Sequence, residues 1–278
     1  MTNYSLKFLY SRIKKQTLTK QQAQSKVCQE IFIAKIGDSE ILSSKIVFKG
    51  GLILDSLSNG QRGYTKDIDF DFIKYSLSNE SLSLFVEELN KSHSFNNIRV
   101  SIENIEDLRH KNYHGKRVSL AFSDHIEKYN LAIDIGVYKS LVLKNKSFKY
   151  SMAFGGTSKI QVNPIERMIF EKLSTFAIYG TDNSRDKDYF DAYYLITTFE
   201  YSIRAIAKMM KKELVINKNY YSSAKEAIIV IKKTFLDVNY RLFLKKSTRN
   251  WLKEDFESIN ETMLEFLDKC LLDAAKLN

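Results

Sequence analysis

The feature that most constrains the fold is a stretch of six residues, 67–72, in which acidic and apolar residues alternate without a break. Successive side chains of a β-strand point to opposite faces, so this alternation predicts a strand. The apolar side chains would face a core. The carboxylates of Asp67, Asp69 and Asp71 would then lie together on the opposite face.

The acidic face of this strand has two interpretations. Three carboxylates on one face repel one another unless the face is solvated or binds a cation, and their hard oxygen atoms favour Mg²⁺ or Mn²⁺. The alternative is an edge strand with a wet acidic face. The strand alone does not decide between them.

A diglycine turn precedes the acidic strand. The apolar run of residues 46–48 predicts a buried strand, which breaks at Gly50 and Gly51 before an apolar segment of helix length. Glycines at such a turn let the backbone approach a ligand, and the amides at a helix start point toward an anion such as phosphate. We therefore interpret turn and strand together as a site for metal and phosphate.

Composition narrows the class of protein. With 278 residues, the chain can form one large or two small domains, and its single proline and ten glycines favour long helices. Cys28 and Cys270 lack zinc-like spacing and a disulfide framework, which predicts two reduced cysteines. The chain contains neither an apolar run of membrane-spanning length nor a signal sequence. We therefore expect a cytoplasmic protein without a membrane partner.

The formal net charge of +10 favours an anionic macromolecular partner, with nucleic acid the first candidate. Lysine-rich surfaces also arise from genome composition alone. No run of basic residues is dense enough to define a binding groove.

The middle of the chain predicts a sheet. Residues 4–35 and 79–93 are typical of helices, and five strand-like segments follow, mostly antiparallel and consecutive: 98–102, 118–122, 131–137, 148–154 and 160–162. In the third of these, Asp134 stands on a face with the small residues Ala132 and Gly136, which leaves space for a ligand. Asp134 is thus a candidate third carboxylate, although a lone acid in a strand is often only solvated.

After residue 162 the apolar period becomes helical. We expect a helix with Asn163 as its N-cap, Pro164 at its first position and Glu166 completing a capping box. Lys172 falls near the centre of the apolar stripe of this helix. A buried unpaired ammonium group costs several kcal/mol, so Lys172 either reaches the edge or meets an anion, and we favour the anion.

The next helix begins near residue 186 and places Asp188 and Asp191 on the face that becomes core. Acids in a first helical turn are ordinary partners of the helix dipole, which accounts for Asp186 better than for the inward pair. At least two further helices follow, with apolar stripes typical of core packing. These patterns predict an α+β fold, with a mixed sheet and flanking helices over residues 1–162 and a helical bundle over residues 163–278.

These motifs resemble the AbiEii-type nucleotidyltransferases, which are toxins of abortive-infection and toxin–antitoxin systems within the polymerase-beta-like superfamily. Four elements carry the resemblance: FKGG with Lys49, Gly50 and Gly51; Arg62, Thr65, Asp67 and Asp69; the Asp134 strand; and Glu171-Lys172 followed by Arg185, Lys187, Asp188 and Asp191. Together they span roughly half of the chain. Leu52 departs from the family, which usually has Ser or Thr there, so backbone amides would serve the phosphates.

The resemblance implies a nucleotidyltransferase-like sheet and transfer of a nucleoside monophosphate from an NTP to an acceptor hydroxyl. Asp67, Asp69 and Asp134 would be metal ligands for Mg²⁺ or Mn²⁺, and Asp134 is an alternative base. Lys172 would neutralise the phosphates and Asp188 would orient Lys172 or the nucleotide. Lys49, the two glycines, Arg62, Thr65, Arg185 and Asp191 would complete nucleotide binding.

By the same resemblance the acceptor is RNA, with tRNA ends as the known class, and a protein antitoxin is the expected partner. Two rival functions stay open. One is transfer to a small molecule, as in antibiotic-modifying nucleotidyltransferases. The other is an inactive nucleotidyltransferase fold that binds nucleic acid.

Overall fold

The computed structural model describes residues 4–13, 18–108, 115–137 and 143–277. These residues form two compact units. The first contains the described residues of 4–137 and 145–163, and the second contains residues 143–144 and 164–277.

The first unit combines helices with a sheet, which confirms the predicted α+β class. Its helices and strands are, in chain order, α1 Leu6–Ile13, α2 Lys20–Asp38, α3 Glu40–Lys45, β1 Ile46–Lys49, α4 Gly50–Leu57, β2 Ile68–Phe72, α5 Asn79–Lys91, β3 Arg99–Asp107, β4 Lys116–Ser123, β5 Lys128–Val137, β6 Lys146–Ser151 and β7 Thr157–Val162.

The sheet has seven strands in the order β3-β4-β5-β2-β1-β7-β6. The pairs β3–β4, β4–β5, β1–β2 and β6–β7 are antiparallel, as expected for neighbouring strands. Two pairs, β2–β5 and β1–β7, are parallel. The expectation of a mainly antiparallel sheet is therefore incomplete, because parallel partners lie far apart in sequence and leave no turn signal between them.

The core face of β2 is the predicted one. Phe70 and Phe72 are buried, and both rings pack against Phe85 of α5 at centroid distances of 6.1 and 5.3 Å. Phe32 of α2 and Phe48 of β1 join them, with Phe32 lying 5.8 Å from Phe70. This aromatic layer fixes the orientation of β2, so its acidic side chains must project from the opposite face.

Several strand ends differ from the predicted ones. The strand expected over residues 148–154 ends at Ser151, because Met152 donates its amide to the Gly156 carbonyl in a turn. Gly155 and Gly156 both have positive φ in that turn, 94° and 80°, which glycine adopts without strain. The strand expected over residues 98–102 extends to Asp107.

The second unit is helical, as predicted. Its helices are α6 Ile165–Tyr179, α7 Asp186–Thr198, α8 Ile203–Met210, α9 Ala224–Leu236, α10 Val238–Lys245 and α11 Phe256–Ala274, with a π-helical turn at Lys211–Ile216 and a 3₁₀ turn at Gly180–Asp182. Within the described residues, no helix is both long enough and apolar enough to cross a membrane.

The predicted capping of α6 is wrong. Pro164 is the capping residue, and no side chain caps the helix. Asn163 instead donates its amide to the Phe48 carbonyl at 3.2 Å, which continues the pairing of β7 with β1. Glu166 accepts the amide of Ser202 at 3.1 Å, so its carboxylate is engaged away from the helix start.

Candidate functional site

The diglycine turn connects β1 to α4 and lies against the acidic strand. Gly50 has a φ of 72°, and a Cβ atom there would lie 2.3 Å from Asp69 Oδ2. A Cβ atom at Gly51 would lie 2.7 Å from both Arg62 Nη1 and Thr65 Oγ1. Gly50 therefore requires glycine, and a side chain at Gly51 would displace Arg62 and Thr65. Helix α4 starts here without a side-chain cap from Lys49. The start of α4, Arg62 and Thr65 thus meet around Gly51, as a phosphate cradle requires.

Leu52, the departure from the family pattern, is buried in α4. Its side chain therefore packs in the hydrophobic core, and it provides no hydroxyl group at the glycine turn.

The three carboxylates on the acidic face of β2 differ in burial and in their partners. Asp71 is buried, and its Oδ1 atom lies 2.6 Å from Lys49 Nζ. Lys49 and Asp71 thus form an ion pair across β1 and β2, which occupies both charges. Asp67 and Asp69, by contrast, are only partly covered.

The parallel pairing of β2 with β5 brings Asp134 to the same place. Asp69 and Asp134 are direct partners in the register, and neighbouring strands lie about 4.8 Å apart. Asp134 alternates with buried Ile133 and Ile135. The structure therefore unites Asp67, Asp69 and Asp134 on one face of the sheet.

Arg117 of β4 lies among these carboxylates. It faces Asp134 in the antiparallel register of β4 and β5. Its Nε and Nη2 atoms donate to the Oδ1 and Oδ2 atoms of Asp134 at 2.7 and 2.8 Å, and Nη2 also lies 3.3 Å from Asp67 Oδ2. The hydrogen bonds to Asp134 raise the pKa of Arg117 above its ordinary value. Burial raises the pKa of Asp67, while Arg117 opposes that rise.

The assignment of the three carboxylates as metal ligands stays a prediction. Among the described residues, no group of three or more His, Cys, Asp or Glu side chains is arranged to hold a metal ion. Asp134 and Asp67 instead bind the guanidinium of Arg117. The donor chemistry still suits a hard divalent ion, because Asp67 and Asp69 present carboxylate oxygens beside a backbone turn that only glycine can make.

Helix α2 holds the segment that leads into the acidic strand. Gln29 Nε2 donates to the carbonyl oxygens of Thr65 and Lys66 at 2.8 and 3.1 Å, and Ser25 Oγ donates to the Lys66 carbonyl at 3.2 Å. Gln29 is fully buried. These bonds fix the backbone between Thr65 and Asp67, and with it the entry of the strand into the site.

A second polar cluster lies within the helical unit. Lys172 Nζ lies 2.6 Å from Asp188 Oδ1 and 3.0 Å from Asp191 Oδ2. Arg185 Nε lies 2.8 Å from Asp188 Oδ2. The anion predicted to meet Lys172 is therefore this inward pair of carboxylates, both of which are buried.

Residues of the segment between α10 and α11 contact the N-terminal part of α7. Trp251 Nε1 donates to Asp191 Oδ1 at 3.2 Å, and the Trp251 ring lies 4.9 Å from that of Tyr194. Asp186, expected to be a helix-dipole partner, is buried and accepts hydrogen bonds from Ser247 and Arg249. The acids at the start of α7 are thus held by side chains that lie far away in sequence.

Several residues of these clusters escaped the sequence analysis, among them Arg117, Gln29 and Trp251. Arg117 lies on the same face of the sheet as Asp134, but this can be recognised only once the register of β4 and β5 is known. Gln29 has no sequence signal, since it is one of several polar residues along α2. Trp251 is the only tryptophan of the chain, and nothing in its local sequence connects it with Asp191.

Comparison with known proteins gives a family match over most of the chain. Residues 38–275 match the model of the family described as "Nucleotidyl transferase AbiEii toxin, Type IV TA system". No curated protein matches the chain significantly.

Solved structures that match the chain include a candidate nucleotidyltransferase from H. pylori, at 16% identity and a TM-score of 0.48, with 94% of this chain and 99% of that one covered. JHP933 from Helicobacter pylori matches at 15% identity and a TM-score of 0.48, covering 94% and 96%. An antigenic nucleotidyltransferase-like protein from Paracoccidioides brasiliensis matches at 12% identity and a TM-score of 0.39, covering 71% and 92%.

Proposed function

Since the chain belongs to the AbiEii family of nucleotidyltransferase toxins, we propose that it is a metal-dependent enzyme that transfers a nucleoside monophosphate from an NTP to a hydroxyl group of RNA. Transfer RNA is the acceptor that we favour. The net charge of +10 supports a phosphate-rich acceptor. The observation that carries the proposal is the meeting of Asp67, Asp69 and Asp134 beside the Gly50–Gly51 turn.

The glycine turn supplies the phosphate contacts in this proposal. Backbone amides at the start of α4 would donate to the triphosphate, and the missing side chains at Gly50 and Gly51 let the phosphates approach the backbone. Arg62 and Thr65 lie against Gly51 and would hold the phosphates from the other side. Gln29 keeps Thr65 in place through its backbone.

Asp67 and Asp69 would hold a divalent cation, Mg²⁺ or Mn²⁺. When bound, the cation would supply Lewis-acid stabilisation of the triphosphate and of the leaving pyrophosphate. Asp69 faces the glycine turn, so its carboxylate connects the cation site to the phosphate cradle. Asp134 lies directly beside Asp69 and would join them where Arg117 releases it.

The reaction forms a bond between the acceptor oxygen and the α-phosphorus and breaks the bond from that phosphorus to the bridging oxygen of pyrophosphate. The proton of the acceptor hydroxyl passes to a carboxylate of the acidic face. Positioning and charge stabilisation account for most of the catalysis of such transfers. The part that Lys172, Arg185, Asp188 and Asp191 play toward the nucleotide stays a prediction from the family resemblance.

The partner of such a toxin would be a protein antitoxin, because the family is described as part of a type IV toxin–antitoxin system. In that arrangement the antitoxin opposes the activity of the enzyme on RNA. We therefore expect growth inhibition when this chain is expressed without its antitoxin.

The test is incubation of the purified protein with total tRNA, Mg²⁺ and each labelled NTP in turn. We expect the label to enter RNA with the wild type, and transfer to fall at least about 100-fold in Asp67→Asn and Asp69→Asn, because each change removes a cation ligand. Asp107→Asn is the matched control, since Asp107 is an exposed acid of the same sheet that pairs with Lys116.

Two results would contradict the proposal in different ways. Label that enters a small molecule but never RNA would favour the small-molecule transferase. Growth inhibition that survives both aspartate changes, with no label transferred, would indicate a binding module.

A further inference from the structure

We infer that Arg117 competes with a divalent cation for Asp67 and Asp134 and thereby sets the cation affinity of the acidic site. The inference rests on the proposed metal-dependent function and adds to it a residue that controls access to the site. It starts from the position of Arg117 on β4, where the antiparallel register places it directly opposite Asp134.

Geometry is the first step. Both oxygens of Asp134 accept hydrogen bonds from Arg117, at 2.7 and 2.8 Å, which is the bidentate arrangement that guanidinium and carboxylate groups favour. The same Nη2 atom lies 3.3 Å from Asp67 Oδ2. One guanidinium thus bridges two of the three carboxylates that a cation would use.

Charge is the second step. Asp67, Asp69 and Asp134 carry three like charges on one face of neighbouring strands, and Arg117 compensates one of them. A divalent cation that binds there must displace these hydrogen bonds or bind beside a positive charge. Either alternative lowers its affinity.

Accessibility is the third step. The Arg117 side chain is 42% exposed, whereas that of Asp134 is 20% exposed. A long side chain with this exposure can leave its partners for solvent without opening the core. The carboxylates, held on two paired strands, would stay in place when Arg117 leaves.

Exposure distinguishes the ion pair of Arg117 with Asp134 from the ion pair of Lys49 with Asp71. Lys49 and Asp71 lie 2.6 Å apart with side chains that are 15% and 7% exposed. That pair is largely closed to solvent, and its carboxylate, Asp71, lies opposite Gly136 in the register of β2 and β5. Arg117 is therefore the cation whose hydrogen bonds with Asp67 and Asp134 a metal ion at these carboxylates would have to displace.

The experiment measures Mn²⁺ binding by electron paramagnetic resonance, without nucleotide or RNA, in the wild type, Arg117→Met and Arg117→Lys. We expect Arg117→Met to bind Mn²⁺ roughly tenfold more tightly, because a competing positive charge is gone. Arg117→Lys should lie between the two, since lysine keeps the charge but cannot bind Asp134 in the bidentate manner.

The matched control is Lys128→Met, which removes one positive charge from the same sheet at its ion pair with Glu103. We expect its Mn²⁺ affinity to equal that of the wild type. Circular dichroism and a melting curve for each variant show whether it folds. If Arg117→Met does not fold, Arg117→Lys alone decides the question.

Each outcome has one meaning. Weaker or unchanged Mn²⁺ binding in Arg117→Met, with binding in the wild type, would overturn competition and leave the proposed enzyme intact. An equal gain in Lys128→Met would attribute the effect to net charge and also overturn the inference. Absence of binding in wild type and variants alike would overturn both the inference and the metal dependence of the proposed function.

Discussion

Each unit of the protein contains a basic side chain between two carboxylates, and the two clusters differ in how far water reaches them. In the first unit, Arg117 bridges Asp134 and Asp67, and the three side chains are 42%, 20% and 31% exposed. In the second unit, Lys172 bridges Asp188 and Asp191, with exposures of 11%, 3% and 0%.

This difference in exposure determines how much each ion pair contributes to stability. Exposed ion pairs contribute little to stability, because water and salt screen them. Breaking a buried pair leaves an uncompensated charge in a medium of low dielectric constant, which is strongly destabilising. We therefore expect the Arg117 cluster to tolerate the loss of its cation, and the Lys172 cluster to lose stability without its own.

The largest expected effect is that of Lys172→Met. The change leaves Asp188 and Asp191 buried with their ammonium partner removed, so we expect a loss of about 3–5 kcal/mol in the free energy of unfolding. Urea denaturation followed by circular dichroism measures this value.

The matched variant for that prediction is Lys172→Met combined with Asp188→Asn, which removes one of the two carboxylates that lose the Lys172 ammonium group. We expect it to recover part of the loss, since the coupling of residues in contact is not additive. If the melting curve of Lys172→Met coincides with that of the wild type, the stability of the helical unit does not depend on Lys172. The proposed contrast between the Lys172 and Arg117 clusters would then be wrong.

Lys35 extends the comparison of the two ion-pair clusters, because it is a buried cation without an ion pair among the described residues. Lys35 of α2 is fully buried, and its Nζ atom has no hydrogen-bond partner in the part of the chain that the structure describes. Burial lowers the pKa of Lys35 from 10.5 to about 8, with Asp38 opposing the shift. The charged form is therefore less favourable in the folded protein than in the unfolded chain.

We expect Lys35→Met to raise the free energy of unfolding at pH 7 by up to about 3 kcal/mol, which is the cost of that pKa shift. Between about pH 8 and 10.5 the unfolded wild-type chain binds more protons at Lys35 than the folded chain does, so wild-type stability rises with pH there. The advantage of Lys35→Met should thus be full below pH 8 and vanish by pH 10.5. A constant difference across this window would show that Lys35 is charged and compensated.

The sequence predicted those parts of the site that a local pattern determines. Alternation placed Asp67 and Asp69 on the face opposite the aromatic core, and helical spacing placed Asp188 and Asp191 inward beside Lys172. In each case the period of the secondary structure decides which side of the element a residue occupies.

What the sequence could not predict depends on contacts between distant segments. Arg117 reaches Asp134 through the register of β4 and β5, and Trp251 reaches Asp191 from a segment that lies beyond three helices. The expected cap at Asn163 failed for the same reason, because its amide continues a strand pairing with Phe48. Local propensity cannot report such tertiary contacts.

The smallest expected effect is that of Arg117→Met on stability, which is the counterpart of Lys172→Met. The guanidinium of Arg117 is largely hydrated and its partners stay in contact with water, so we expect the free energy of unfolding to fall by less than about 1 kcal/mol in 150 mM salt. High salt should reduce this difference further, because it screens the repulsion among the three remaining carboxylates. Urea denaturation of both variants at low and high salt measures the contrast directly. A loss for Arg117→Met as large as that for Lys172→Met would mean that Arg117 is a structural cation, and exchange with a metal ion would then cost the fold itself.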